Sequence, residues 1–224
     1  MGTDNLFKKR KARKTRDLKR KTENKAPYGR VLIVCEGSKT EPGYFKDLRD
    51  YYQLKTANIE ICGEECDSSP SKVLQYAEQL YHEEKNVGNP FDRVYCVFDK
   101  DTHTTYTSTV DAINRKREKN KWFAITSIPS FEYWVLLHFF ASTKPYQPLP
   151  GNSAANQLLS ELLTYLPEYS KDQKGLFIQL VPQLEFAKQN AIRLLKAAEV
   201  NGTDNPSTRV HELVEYLQNL NRPH

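Results

Sequence analysis

No stretch of this 224-residue chain stays apolar for the roughly 18 residues a membrane helix needs, so no transmembrane helix is expected. The opening residues, Met1 to Arg10, lack the apolar segment of a secretory signal, and a cytoplasmic protein is expected. Cysteine is scarce, at four residues, which leaves no disulfide framework. Cys62 and Cys66 have the spacing of half a zinc site, but no second Cys/His pair matches them, and free thiols in a reduced compartment are the reading. Gly37-Ser38-Lys39-Thr40 lacks the glycine that a Walker A loop needs directly before its lysine, and Val34 stands near the place of its earlier glycine. ATP hydrolysis by the chain itself is not expected. Apolar residues make up 38%, low for a globular protein yet enough for one sizeable core.

Charge is present but unevenly spread. Residues 1–26 hold eleven Lys or Arg against Asp4, Asp17 and Glu23, a local +8. The whole chain carries +5, so the remainder carries −3. Between Phe7 and Ala26 almost nothing is apolar, which predicts a flexible tail or a solvated helix suited to a polyanion such as nucleic acid. Pro27-Tyr28-Gly29 marks the junction into the folded body. Three parts follow: the basic tail 1–26, an α/β core 27–140, and a helical extension 141–224 packed on that core.

Within the core, apolar β-prone runs at 30–35, 58–63, 93–99 and 122–128 alternate with helical patterns at about 40–52, 69–81, 106–120 and 133–140. A helix after every strand predicts a four-stranded parallel sheet covered on both faces, with all strand C-termini along one edge. Further helical patterns lie near 154–166, 183–200 and 207–220. Ligands of such sheets bind at the C-terminal edge, and that edge collects acids here. The first strand runs into Glu36-Gly37. The third ends in Asp99-Lys100-Asp101, two carboxylates on one side of an extended chain. The fourth leads through Pro129 to Ser130-Phe131-Glu132. Glu41 stands in the first turn of the first helix, where an acid also favours the helix dipole. These hard oxygens suit Mg²⁺.

In order and spacing, three segments resemble the Toprim fold of topoisomerases, bacterial primases and OLD-type nucleases. They are Val34-Cys35-Glu36-Gly37-Ser38-Lys39-Thr40-Glu41-Pro42, Val97-Phe98-Asp99-Lys100-Asp101 and Ser130-Phe131-Glu132-Tyr133-Trp134. With Asn205-Pro206-Ser207-Thr208-Arg209 they are more similar still to RloB-like proteins, bacterial defence-associated proteins with a Toprim-like core. The resemblance spans about residues 29–220 and implies a Mg²⁺-dependent nuclease, with Mn²⁺ as a substitute and two ions in the site. It places metal ligands at Glu36, Glu41, Asp99, Asp101, Ser130 and Glu132. Catalytic roles fall on Glu36, Lys39, Asp99, Asp101 and Glu132. Lys100, Lys171 and Lys174 are alternatives to Lys39 as the cation near the phosphate. Implied partners are nucleic acid, DNA or RNA, and an ATPase of a defence operon; the oligomeric state is open, a dimer included.

Rival readings stay in view. Asp-x-Asp at a strand end also forms turns, and a first-turn acid such as Glu41 or Glu132 is common in ordinary helices. Trp134, Leu137 and His138 read as core packing, and His103 as a loop histidine near the acids. A non-catalytic subunit that docks on an ATPase is the main alternative function.

Overall fold

The computed structural model describes residues 29–54, 59–62, 69–100, 103–116, 118 and 120–220. The basic tail, Cys66 and Asp101 lie outside them. Strands β1 (Val31–Cys35), β2 (Ile59–Cys62), β3 (Arg93–Asp99) and β4 (Trp122–Ile128) pair parallel in the order β2-β1-β3-β4. Helices α1 (Thr40–Tyr51), α2 (Pro70–Asn86) and α3 (Tyr106–Asn114) connect them, and α4 (Glu132–Leu136) follows β4. This is a mixed α/β fold with a mostly parallel sheet.

Alternation along the strands builds the two faces. Val31, Ile33 and Cys35 join Tyr95, Val97 and Ile125 on one side. Leu32 and Val34 join Val94, Cys96, Phe98 and Trp122 on the other, under Val73, Leu74, Ala77 and Tyr81 of α2 and Ile113 of α3. Cys35 and Cys96 are buried, each filling a core position.

The first face is covered by α1, α4 and the C-terminal helices α5 (Ala154–Tyr165), α6 (Leu176–Leu180), α7 (Leu184–Val200) and α8 (Val210–Asn219). Leu158, Leu162, Phe177, Leu184, Ala191, Val210 and Leu217 share one cluster with the β1 side chains. Pro42 sits in the first turn of α1, where its missing N–H costs nothing. Asp47 of α1 accepts hydrogen bonds from the backbone N–H groups of Phe177 and Gly175, so α1 caps α6. Gly175 has φ +74°, a left-handed turn that a glycine adopts without strain.

Four sequence expectations change. A fifth strand, β5 (Ser207–Thr208), pairs antiparallel with Ser127 and Ile128, so the sheet is not purely parallel and the extension supplies part of it. Two residues are too few for periodicity to signal, and they fall where a helix was expected to start. Helix α3 stops at Asn114 because Arg115–Asn120 offers nothing apolar to bury. Helix α4 ends at Leu136, well short of Phe140, and Leu137–Phe139 form tight turns. That run is apolar throughout, so its pattern carries no stop. Helix α6 was not anticipated.

Phe177 is fully buried against the rings of Tyr44, Tyr51 and Tyr52, at centroid distances of 5.3, 5.6 and 6.0 Å. Phe177→Ala should cost about 3–5 kcal/mol, read as a lowered urea midpoint. A loss below about 1 kcal/mol would show that α6 does not anchor the extension.

Candidate functional site

Glu36, Glu41, Asp99 and Glu132 reach one cavity at the C-terminal edge of the sheet, about 460 Å³ in volume, together with Lys39, Thr40, His103, Ser130 and Lys171. Four separate chain segments deliver the acids: the end of β1, the first turn of α1, the end of β3 and the start of α4. The strand register explains two of them. The Glu36 N–H donates to the Val97 carbonyl at 2.9 Å, continuing the β1–β3 ladder one residue past the strand. The Asp99 N–H then donates to Glu36 Oε2 at 3.0 Å.

Each acid has a defined environment. His103 Nε2 lies 2.9 Å from Glu36 Oε1. Asp99 Oδ2 accepts the Phe131 N–H at 3.2 Å. Glu132, 4% exposed, accepts Ser130 Oγ–H at 2.5 Å on Oε2 and Tyr169 O–H at 3.0 Å on Oε1. Lys171 Nζ stands 3.6 Å from that same Oε1. Gly37 permits the approach of Glu41: a Cβ there would meet Glu41 Oε2 at 2.6 Å.

The electrostatics are those of crowded carboxylates. Burial pushes Asp99 well above its ordinary range, and Glu41, Glu132 and Glu36 push it further, against the Phe131 N–H. Burial raises Glu41 to about 7, with Glu132 and Glu36 adding to it and its own backbone N–H and Lys171 opposing. Such a set fits a hard divalent cation in charge and donor type, since an ion would relieve a repulsion that protons otherwise relieve. Among the described residues no group of three or more His, Cys, Asp or Glu side chains is arranged to hold a metal ion. The oxygens of Glu36 and Glu132 instead face protein donors.

Of the residues named from sequence, Glu36, Lys39, Glu41, Asp99, Ser130 and Glu132 line this cavity, and Asp101 lies outside the described residues. Among the four lysines, Lys39 pairs with Asp172 at 3.7 Å and Lys171 with Glu132. Lys100 turns to Asp204 at 2.5 Å and away from the lining, and Lys174 is exposed. His103 is a bonded partner of Glu36, more than a solvated loop residue. His138 is core, as its setting in an apolar helix suggested, with Nδ1 3.0 Å from the Trp134 carbonyl. Tyr169 was missed altogether.

A family model described as RloB-like protein matches residues 31–217, which takes in every segment lining the cavity. The chain belongs to the RloB-like family. No curated protein matches it. The RloB-like match runs through the C-terminal helices, so the extension is part of the family's unit along with the sheet. Among the described residues no helix is long and apolar enough to cross a membrane.

The raised Glu41 has a consequence for stability. Its folded value near 7 exceeds the ordinary 4.5, so its contribution is fully present below pH 4.5 and is lost as pH rises through 7. In EDTA, Glu41→Gln should melt higher than the unsubstituted protein at pH 8, with the gap closing toward pH 4.5. His138, held down to about 4 by burial, works in the opposite direction over the same range. It is common to both proteins and cancels in the difference. A gap that does not change with pH would remove Glu41 ionisation as its source.

Proposed function

We propose that this chain is a divalent-metal-dependent nuclease with a Toprim-like core, acting in bacterial antiviral defence beside a partner ATPase. The observation that carries the reading is the convergence of four carboxylates from four segments on one cavity, where burial first and the neighbouring acids second raise Asp99 above its ordinary range. An acid cluster of that kind is costly without a function for its charge. The defence role and the ATPase partner rest on the family resemblance alone.

In this reading Asp99, Glu36, Glu41 and Glu132 would hold Mg²⁺ or Mn²⁺; the sequence also nominates Asp101, two residues after Asp99. Bound there, the metal would supply neutralisation of charge on the phosphodiester oxygens. Lys171 and Lys39, both exposed at the cavity rim, would meet the phosphate's non-bridging oxygens. Ser130 keeps Glu132 in one orientation, and His103 Nε2 is placed to pass a proton to or from Glu36 Oε1.

Purified protein incubated with mixed DNA and RNA should cleave in Mg²⁺ or Mn²⁺ and not in EDTA. Asp99→Asn and Glu36→Gln should each lower the rate at least about 100-fold while the melting temperature holds or rises, because each relieves repulsion. Full activity in both variants would sink the nuclease reading.

The enclosed hydrogen bonds of Glu36 and Glu132 favour one second reading, a non-catalytic subunit whose acids are structural. Loss of fold in both variants, with tight ATPase association and no turnover, is its signature.

The tail, at +8, supports contact with a polyanion. If it neutralises about six phosphates, single-strand affinity should follow a log–log salt slope of about −4. Deleting residues 2–26 should flatten that slope and weaken binding while leaving metal-dependent cleavage of saturating substrate. Unchanged affinity and slope would assign the tail to a protein partner.

A further inference from the structure

Residues 167–175 form a loop of the C-terminal extension that brings Lys171 to the lining of the acid cavity. Of these nine residues Tyr169 alone is buried. The start of α1 holds the loop near its middle. Thr40 Oγ1, at the start of α1, donates to the Lys171 carbonyl at 2.7 Å, and Lys39 faces Asp172 at 3.7 Å. Beyond the loop, Asp47 caps α6 and Phe177 is buried against α1. The loop's position is therefore set by contacts that do not involve Glu132.

From that fixed support the Tyr169 hydroxyl reaches Glu132 Oε1 at 3.0 Å, in a buried hydrogen bond between residues 37 apart in sequence. Ser130 binds the other oxygen at 2.5 Å. A carboxylate with a donor on each oxygen cannot rotate about its last torsion without losing one of them. If the phenol is removed, Lys171 remains beside Oε1, at 3.6 Å and with its side chain 64% exposed.

We propose that Tyr169 is a positioning residue for the site: through its hydroxyl the C-terminal extension fixes the orientation of Glu132, and with it the affinity of the acid cavity for a divalent cation. This rests on the metal-dependent reading above. Donors behind a metal-binding carboxylate commonly tune affinity 10–100-fold, and a phenol at 3.0 Å from the carboxylate oxygen fits that role. Aromatic packing alone would not need the hydroxyl.

The test is Mn²⁺ binding to the full-length, EDTA-stripped protein, followed by calorimetry and by the Mn²⁺ paramagnetic resonance signal. Tyr169→Phe, which keeps the ring, should bind Mn²⁺ about 10–100-fold more weakly with little change in metal-free melting temperature. In a Glu132→Gln background the same change should have no further effect. Thr40→Val, which removes both the tether at the Lys171 carbonyl and the hydroxyl that bonds the Tyr169 phenol, should weaken binding in the same direction, and it carries the test if Tyr169→Phe folds poorly. Equal affinity of Tyr169→Phe and unsubstituted protein overturns the proposal. So does an equal loss in both backgrounds, which would mean general damage to the loop. No Mn²⁺ binding by the unsubstituted protein overturns it together with the metal reading. Mn²⁺ binding that weakens as expected, without cleavage of any DNA or RNA, supports the positioning role and sinks the nuclease reading alone.

Discussion

Burial of both faces of one mostly parallel sheet is the constraint that the other features obey. Such a sheet cannot leave either side in water, because every second side chain of β1 and β3 is apolar on each face. Helices α2 and α3 suffice for one face. The other needs α1 and α4 together with four helices from residues 154–219. What the sequence presents as an extension is thus half of the sandwich, and its helices are bound to the sheet by the same cluster that holds β1. The family match over 31–217 follows the same boundary.

The sheet then determines where charge can sit. Buried strands have no room for carboxylates until their last residue, so the acids appear at strand ends and helix starts. Backbone donors become available there: the Asp99 N–H for Glu36 and the Phe131 N–H for Asp99. These bonds hold the acids without neutralising them. Asp99 and Glu41 stay raised, first by burial and then by the neighbouring carboxylates. Side chains from outside the strands complete the arrangement: His103 on Glu36, Tyr169 and Lys171 on Glu132.

Legibility in the sequence tracked the range over which each feature is decided. The four parallel strands could be read because each is a short apolar run bounded by breakers, and Glu36, Asp99 and Glu132 because they directly follow such runs. Glu41 could be read from its place in a first turn, though not that the bare Gly37 backbone lets it turn inward. After Glu132, helix α4 is apolar and buried on every side, so its end at Leu136 is set by packing and leaves no mark in the pattern. Strand β5 is two residues whose pairing depends on where β4 lies. Tyr169 stands in a polar loop after Pro167, with no periodicity around it. Its partner is known only once α6 has docked on α1.

Helix α1 carries two attachments at opposite ends of its 12 residues. Its first turn supplies Glu41 and, through Thr40, a tether for the loop at Lys171; its later turns hold α6 through Asp47 and Tyr51. One acid of the cavity and the loop that brings Lys171 to its lining are therefore mounted on the same helix. A displacement of α1 would carry both along, so the spacing between Glu41 and that loop is set within one element instead of across a seam between core and extension.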